Sequence, residues 1–250
     1  MRRPVFAANW KMNLGPAEAR AYLKQFLAKY KRRTDRTVVF FPSAASIPAV
    51  ATALTRRKYI LVGVQNIATE ANGAFTGETS AAISRDAGAR LALVGHSERR
   101  HVYGETDDAT AKKCALAAAA GLTPVLCVGE TLQEREAGRT QETVLRQLRA
   151  GLSHLSPGEV AKALIAYEPV WAVGTGHNAT PRDASAVHRA IRVELARLCS
   201  DKHARAIPIL YGGSVNAANA RSLLDAVDVD GLLVGGASLD PLTWNTIVST

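Results

Sequence analysis

Eight short runs rich in Val, Ile and Leu recur along this chain, at Val5–Trp10, Val38–Phe41, Ile60–Gln65, Leu91–Gly95, Pro124–Val128, Leu164–Tyr167, Ile207–Tyr211 and Leu232–Val234. Apolar residues run on within each instead of alternating with polar ones, the pattern of a strand buried on both faces in a parallel sheet. Segments of helical character lie between the runs. Pro16 to Lys31 opens with a proline suited to a first turn and sets Ala19, Leu23, Phe26 and Leu27 on one stripe. Thr131 to Leu152 reads as one longer helix carrying Leu132, Val144, Leu145 and Leu148. Another begins with Thr180 as cap and Pro181 in the first turn, followed by Val187, Ile191 and Leu195.

Strand then helix, repeated, demands a parallel sheet covered by helices. Eight such units in 250 residues match the span of a closed (β/α)8 barrel. Two ordinary domains would also fit that length, but no Ser/Pro-rich linker or shift of composition divides the chain. Residues 1–250 are therefore expected to form a single-domain α/β barrel. The alternative is an open doubly wound sheet, whose dinucleotide-binding versions carry GxGxxG after the first strand. Asn9-Trp10-Lys11-Met12-Asn13 stands there instead.

Hydrophobic residues make up 47% of the chain and charged residues 21%, ample material for a large core. The apolar run Val5 to Ala8 is broken at once by Asn9, too early for the apolar region of a secretion signal. No stretch approaches the roughly 18 apolar residues of a spanning helix, so a cytoplasmic protein without a membrane partner is expected. Cys114, Cys127 and Cys199 are widely spaced and odd in number, which suggests reduced, mostly buried thiols. The net charge of +9 comes in runs such as Lys29-Tyr30-Lys31-Arg32-Arg33 and Arg56-Arg57-Lys58. No nucleic-acid-binding motif accompanies them, so a solvated basic surface is expected, with no nucleic-acid partner. Such a field also helps steer a dianionic phosphate.

In a barrel of this kind chemistry belongs at the carboxyl ends of the strands. Asn9 and Lys11 follow the first strand, His96-Ser97-Glu98 the fourth, Glu168 the sixth, Gly212-Gly213-Ser214 the seventh and Gly235-Gly236 the eighth. Glu168 emerges from a buried run into Pro169-Val170-Trp171; it is either a base whose pKa is raised by apolar walls or a structural ion-pair partner at the rim. His96 precedes what reads as a short helix, whose dipole disfavours an imidazolium; it is either a neutral donor to a carbonyl oxygen or a structural histidine. Lys11 is a Schiff-base nucleophile, an anchor for an anion or a solvated amine, the anchor being the economical choice. The glycine pairs suit close approach of a phosphate to backbone N–H groups, or mark turns. Gly174-Thr175-Gly176 behind Val170 and Trp171 reads as a lid that excludes water. The six histidines show no HxH or HExxH spacing, which implies a site without metal or cofactor.

Taken in order, Asn9-Trp10-Lys11-Met12-Asn13, Gly95 to Arg100, Ala166 to Ala172, Tyr211 to Val215 and Leu233 to Leu239 resemble the signature blocks of the triosephosphate isomerase family. The likeness spans nearly the whole chain and implies a TIM barrel. It also implies interconversion of dihydroxyacetone phosphate and glyceraldehyde 3-phosphate through an enediolate, in glycolysis and gluconeogenesis. By the resemblance Glu168 moves the proton, neutral His96 serves the two oxygens, Asn9 donates a hydrogen bond and Lys11 counters negative charge. Backbone N–H groups of Gly174, Ser214, Gly235 and Gly236 would cradle the phosphate. Tyr211 and Glu130 would hold the lid, Glu130 against Trp171, with Ser97 and Glu98 in support. Gln65-Asn66 and the Gly73–Glu78 loop resemble the family's dimer loop, Thr76 reaching the partner's site and Glu78 its Arg99, so a homodimer is implied. The chain departs from the family pattern at the rear of the lid, His177-Asn178-Ala179, and in residues 67–72 ahead of the dimer loop core. An aldolase using Lys11 and a non-catalytic sugar-phosphate- or nucleic-acid-binding barrel are the competing readings.

Overall fold

The computed structural model describes Met1 and residues 3–172 and 179–250. Eight parallel strands close into a barrel in sequence order: β1 (Val5–Asn9), β2 (Thr37–Phe41), β3 (Ile60–Val64), β4 (Leu91–Val94), β5 (Thr123–Val128), β6 (Leu164–Tyr167), β7 (Ile209–Tyr211) and β8 (Gly231–Val234). β1 closes the ring against β8, with Val5 beside Gly231 and Ala8 beside Val234. Each expected strand is present, the sixth with its expected bounds and the others with one end shifted by a residue or two.

Side chains alternate across each strand, so one parity faces the barrel interior and the other the helices. Val5, Ala7, Val39, Phe41, Leu91, Leu93, Val125, Cys127, Leu164, Ala166, Leu210 and Leu233 fill the interior as one cluster. Gly63 belongs to that packing, because a Cβ there would lie 2.2 Å from the Phe41 ring. The other parity builds a larger cluster against the helices. Trp10, for example, meets Tyr22 at 4.8 Å and Phe40 at 5.3 Å between ring centroids.

The helix Pro16–Lys29 buries Ala19, Tyr22, Leu23 and Phe26; Tyr22 joins the stripe while Leu27 is only partly covered. Thr180 caps Pro181–Leu198, accepting from the Asp183 N–H while the Asp183 carboxylate accepts from Thr180, and Val187, Ile191 and Leu195 are buried. The single helix expected over Thr131 to Leu152 is two, Leu132–Glu136 and Thr140–Leu152. Gly138, at φ +70°, breaks it in a left-handed turn, which leaves Leu132 exposed. Cys114 and Cys127 are buried and Cys199 is partly exposed, all three as free thiols.

Candidate active site

Continuing the interior parity past the strand ends delivers the polar residues to one place. Val5-Ala7-Asn9, Leu164-Ala166-Glu168, Leu210-Gly212 and Leu233-Gly235 each step by two, so Asn9, Glu168, Gly212 and Gly235 close the interior at its carboxyl end. A cleft of about 240 Å³ opens there, lined by Asn9, Lys11, His96, Glu168, Ser214, Gly235 and Gly236, with Gly212, Gly213, Val215, Leu233 and Ala237. Nine residues singled out in the sequence, Gly212 and Gly213 among them, thus share one cavity, whereas Gly174 lies outside the described residues, as do Thr175, Gly176, His177 and Asn178.

Glu168 is 2% exposed. Its Oε1 lies 3.0 Å from Nε2 of His96 and its Oε2 accepts the backbone N–H of Ser97 at 2.8 Å. Burial would raise its pKa, as expected from the sequence, but His96, the Ser97 N–H and Lys11 prevail and hold the carboxyl below the usual range. The groups that overcome burial come from the turns after β4 and β1 and were not visible beside Glu168 in the chain. Space for the side chain comes from glycine: a Cβ on Gly212 would sit 2.9 Å from Cγ of Glu168, and one on Gly129 would collide with its carbonyl oxygen.

His96 caps the short helix Ser97–His101, its Nδ1 accepting the N–H of Glu98 at 3.2 Å. That bond leaves the ring proton on Nε2, aimed at Glu168. Burial lowers the pKa of His96 while the Glu168 carboxylate raises it, and the carboxylate wins. The backbone donor at Nδ1 opposes a second proton, so the geometry favours a neutral Nε2–H ring beside an ionised Glu168.

Lys11 sits at φ +51°, a left-handed conformation that costs a non-glycine residue on the order of 1 kcal/mol. Two side chains hold it there: Oδ1 of Asn9 accepts its N–H at 3.0 Å, and Nε2 of Gln65 donates to its carbonyl at 2.8 Å. Because the Asn9 oxygen is taken, its amide N–H₂ is the end left for the cleft. Nζ of Lys11 pairs with Oε1 of Glu98 at 2.7 Å. An amine paired in this way is unlike a Schiff-base nucleophile, which has to be desolvated and unpaired. The Gln65 support was not anticipated, and nothing in its local sequence signals it.

Beside the cleft, Nε1 of Trp171 and the hydroxyl of Tyr167 donate to Oε1 of the buried Glu130 at 2.9 and 3.1 Å. Burial raises the Glu130 pKa against those donors. Arg135 lies over the Trp171 ring at 4.3 Å and pairs with Asp183 at 3.0 Å. Burial pushes the Tyr211 hydroxyl up to about 12, tempered by the Ala179 backbone nearby, although no hydrogen bond of good geometry closes among the described residues. Thr76 and the loop around it stand exposed. Arg99 pairs within the chain with Glu105 at 3.2 Å. Among the described residues, no three His, Cys, Asp or Glu side chains converge as a metal site would require.

The chain matches the family model for triosephosphate isomerase over residues 4–250. The chain belongs to the triosephosphate isomerase family. It is 50% identical over 241 residues to the triosephosphate isomerase of Pseudomonas fluorescens, covering 96% of this chain and 95% of that protein. With the protein of that name from Symbiobacterium thermophilum the identity is 44% over 247 residues, covering 99% and 96%. With that from Solibacter usitatus it is 43% over 249 residues, covering both completely. The cleft of this triosephosphate isomerase family member brings a buried carboxylate, an imidazole and a lysine amine into one small cavity.

Proposed function

We propose that Glu168 is the base of this isomerase, with His96, Asn9 and Lys11 around it. The reaction is that of the family, interconversion of dihydroxyacetone phosphate and D-glyceraldehyde 3-phosphate, a step of glycolysis. Glu168 removes a proton from one carbon and returns it to its neighbour through an enediolate. Nε2–H of His96 polarises the carbonyl and passes protons between the two oxygens, Asn9 donates to substrate, and Lys11 offsets negative charge. The observation that carries this reading is the 3.0 Å contact between Nε2 of His96 and Oε1 of Glu168 at the floor of the cleft. When a substrate oxygen takes the His96 proton donor, Glu168 loses the partner that held its pKa down while burial remains. Its affinity for a proton then rises at the step that needs it.

Backbone N–H groups of Ser214, Gly235 and Gly236, with that of Gly174, receive the phosphate. Gly236 has open space where a Cβ would stand, and Gly235 lies beside the Lys11 stem. Trp171, Glu130 and Tyr211 support the lid, and Ser97 and Glu98 hold Glu168 and Lys11 in place.

The protein works as a homodimer. Met12 is 95% exposed, Phe75, Val102 and Tyr103 are exposed as well, and Met12 and Tyr103 line one groove with Lys11. An apolar surface of that kind beside the site calls for a partner, and a second copy would bring Thr76 to the cleft and Glu78 to Arg99. No described helix is long and apolar enough to cross a membrane, and a glycolytic role puts the enzyme in the cytoplasm.

A coupled assay of glyceraldehyde 3-phosphate conversion without added metal tests the reading, and sedimentation tests the dimer. Turnover is expected without metal, and borohydride plus substrate should trap no adduct. A trapped Lys11 adduct would replace the isomerase mechanism with an aldolase one.

A further inference from the structure

Gly95 ends β4 and carries His96 into the cleft. Its φ is +71°, and a Cβ there would lie 2.8 Å from Nη2 of Arg100 and 2.9 Å from Cγ2 of Thr110. A glycine in such a place turns freely unless something holds its two peptide planes. Two buried charged side chains do so. The Gly95 N–H donates to Oε1 of Glu105 at 2.9 Å, and the Gly95 carbonyl accepts from Nε of Arg100 at 2.8 Å. The first bond pins the plane before Gly95 and the second the plane after it. The backbone N–H of Arg100 also donates to the His96 carbonyl at 3.0 Å.

Both side chains are anchored in turn. Arg100 donates from Nη1 to Asp107 at 2.8 Å and from Nη2 to the Cys127 carbonyl on β5 at 3.3 Å. The second oxygen of Glu105 accepts from Nζ of Lys113 at 2.6 Å and Nε of Arg99 at 3.2 Å. The side chains of Glu105, Lys113 and Arg100 are 2%, 5% and 8% exposed. Lys113 and Arg99 keep Glu105 below the usual carboxylate range despite its burial. Buried pairs like these return little stability over apolar packing, so what they hold matters more than what they add. A rotation of about 10° at Gly95 would swing Nε2 of His96 by roughly 1 Å, more than a site of this kind tolerates.

We propose that Arg100 and Glu105 are positioning residues for the isomerisation: gripping the Gly95 backbone from two sides, they set where Nε2 of His96 points. This rests on His96 being the proton-transfer partner of Glu168. The test is a double-mutant cycle of Glu105→Gln and His96→Gln, with kcat and KM measured for each enzyme and oligomeric state checked. In the His96 enzyme, Glu105→Gln is expected to lower kcat about ten- to a hundredfold with KM within about twofold. In the His96→Gln background the same change should cost less than about twofold, because there is no imidazole left to misplace. The ¹⁵N signals of His96 should also lose the single Nε2–H tautomer in Glu105→Gln. If Glu105→Gln fails to fold with Lys113 unpaired, Glu105→Gln/Lys113→Met removes both charges and Arg100→Lys opens the grip from the other side; the same pattern is expected.

An unchanged kcat with a normal His96 spectrum, or equal losses in both backgrounds, overturns the positioning role and leaves that of His96 intact. If His96→Gln itself keeps full turnover, the proton-transfer reading fails and the positioning role falls with it.

Discussion

Oε1 of Glu168 and Nε2 of His96 stand 3.0 Å apart, so the proposed base and its proposed partner are in direct contact. The pair stores the carboxylate as an anion in a site that would otherwise neutralise it. In the proposed mechanism a substrate carbonyl competes for the same N–H.

Shortening the base tests how far its reach matters. Glu168→Asp is expected to keep substrate affinity within a few-fold and to lower kcat by about a hundredfold or more, since one methylene withdraws the carboxylate by about 1 Å. Wild-type turnover in an assay limited by chemistry would exclude Glu168 as the proton carrier.

Gly212 gives the base its room. Gly212→Ala would put a methyl 2.9 Å from Cγ of Glu168, and a kcat about tenfold lower is expected because the side chain must shift. Steady-state kinetics beside a thermal melt separate this from instability; an unchanged kcat would mean that the base has slack.

Lys11 should act on affinity as well as rate. Lys11→Met is expected to lower kcat/KM by about a hundredfold, roughly 3 kcal/mol, by removing the cation of the cleft. The wild-type enzyme should lose affinity for its anionic substrate as salt rises, and the variant should lose much less. Equal salt slopes would move the electrostatic anchor elsewhere.

His188 predicts how the fold fails in acid. It is fully buried against Tyr167, Nδ1 donates to the Asp228 carbonyl at 3.0 Å, and burial lowers its pKa to about 4. The unfolded chain binds this proton near pH 6.5 and the folded one only near 4. Stability is therefore whole above pH 6.5 and falls as pH drops towards 4, by up to about 3 kcal/mol from this group. His188→Asn should flatten that part of the stability–pH curve, read by denaturant unfolding between pH 7 and 4. An identical slope would assign acid lability to other groups.

The order of strands, the barrel and the strand-end location of the site were legible in the chain itself, because a buried parallel strand needs an unbroken apolar run and a (β/α)8 barrel collects chemistry where those runs stop. Glycine at 212 and 235 and the polar residues at 9, 96 and 168 could be picked out for the same reason: they interrupt apolar runs at equivalent points. Gly138 was the local exception, a left-handed break inside a segment whose periodicity continued through it. What only the tertiary structure decided is the electrostatic state of the site. The low pKa of Glu168, the direction in which Nε2 of His96 points, the support of Lys11 by Gln65 and the grip of Glu105 and Arg100 on Gly95 depend on groups brought together from different strands and loops. A pKa follows the distance to the nearest charge and donor, and those distances exist only once the barrel has closed.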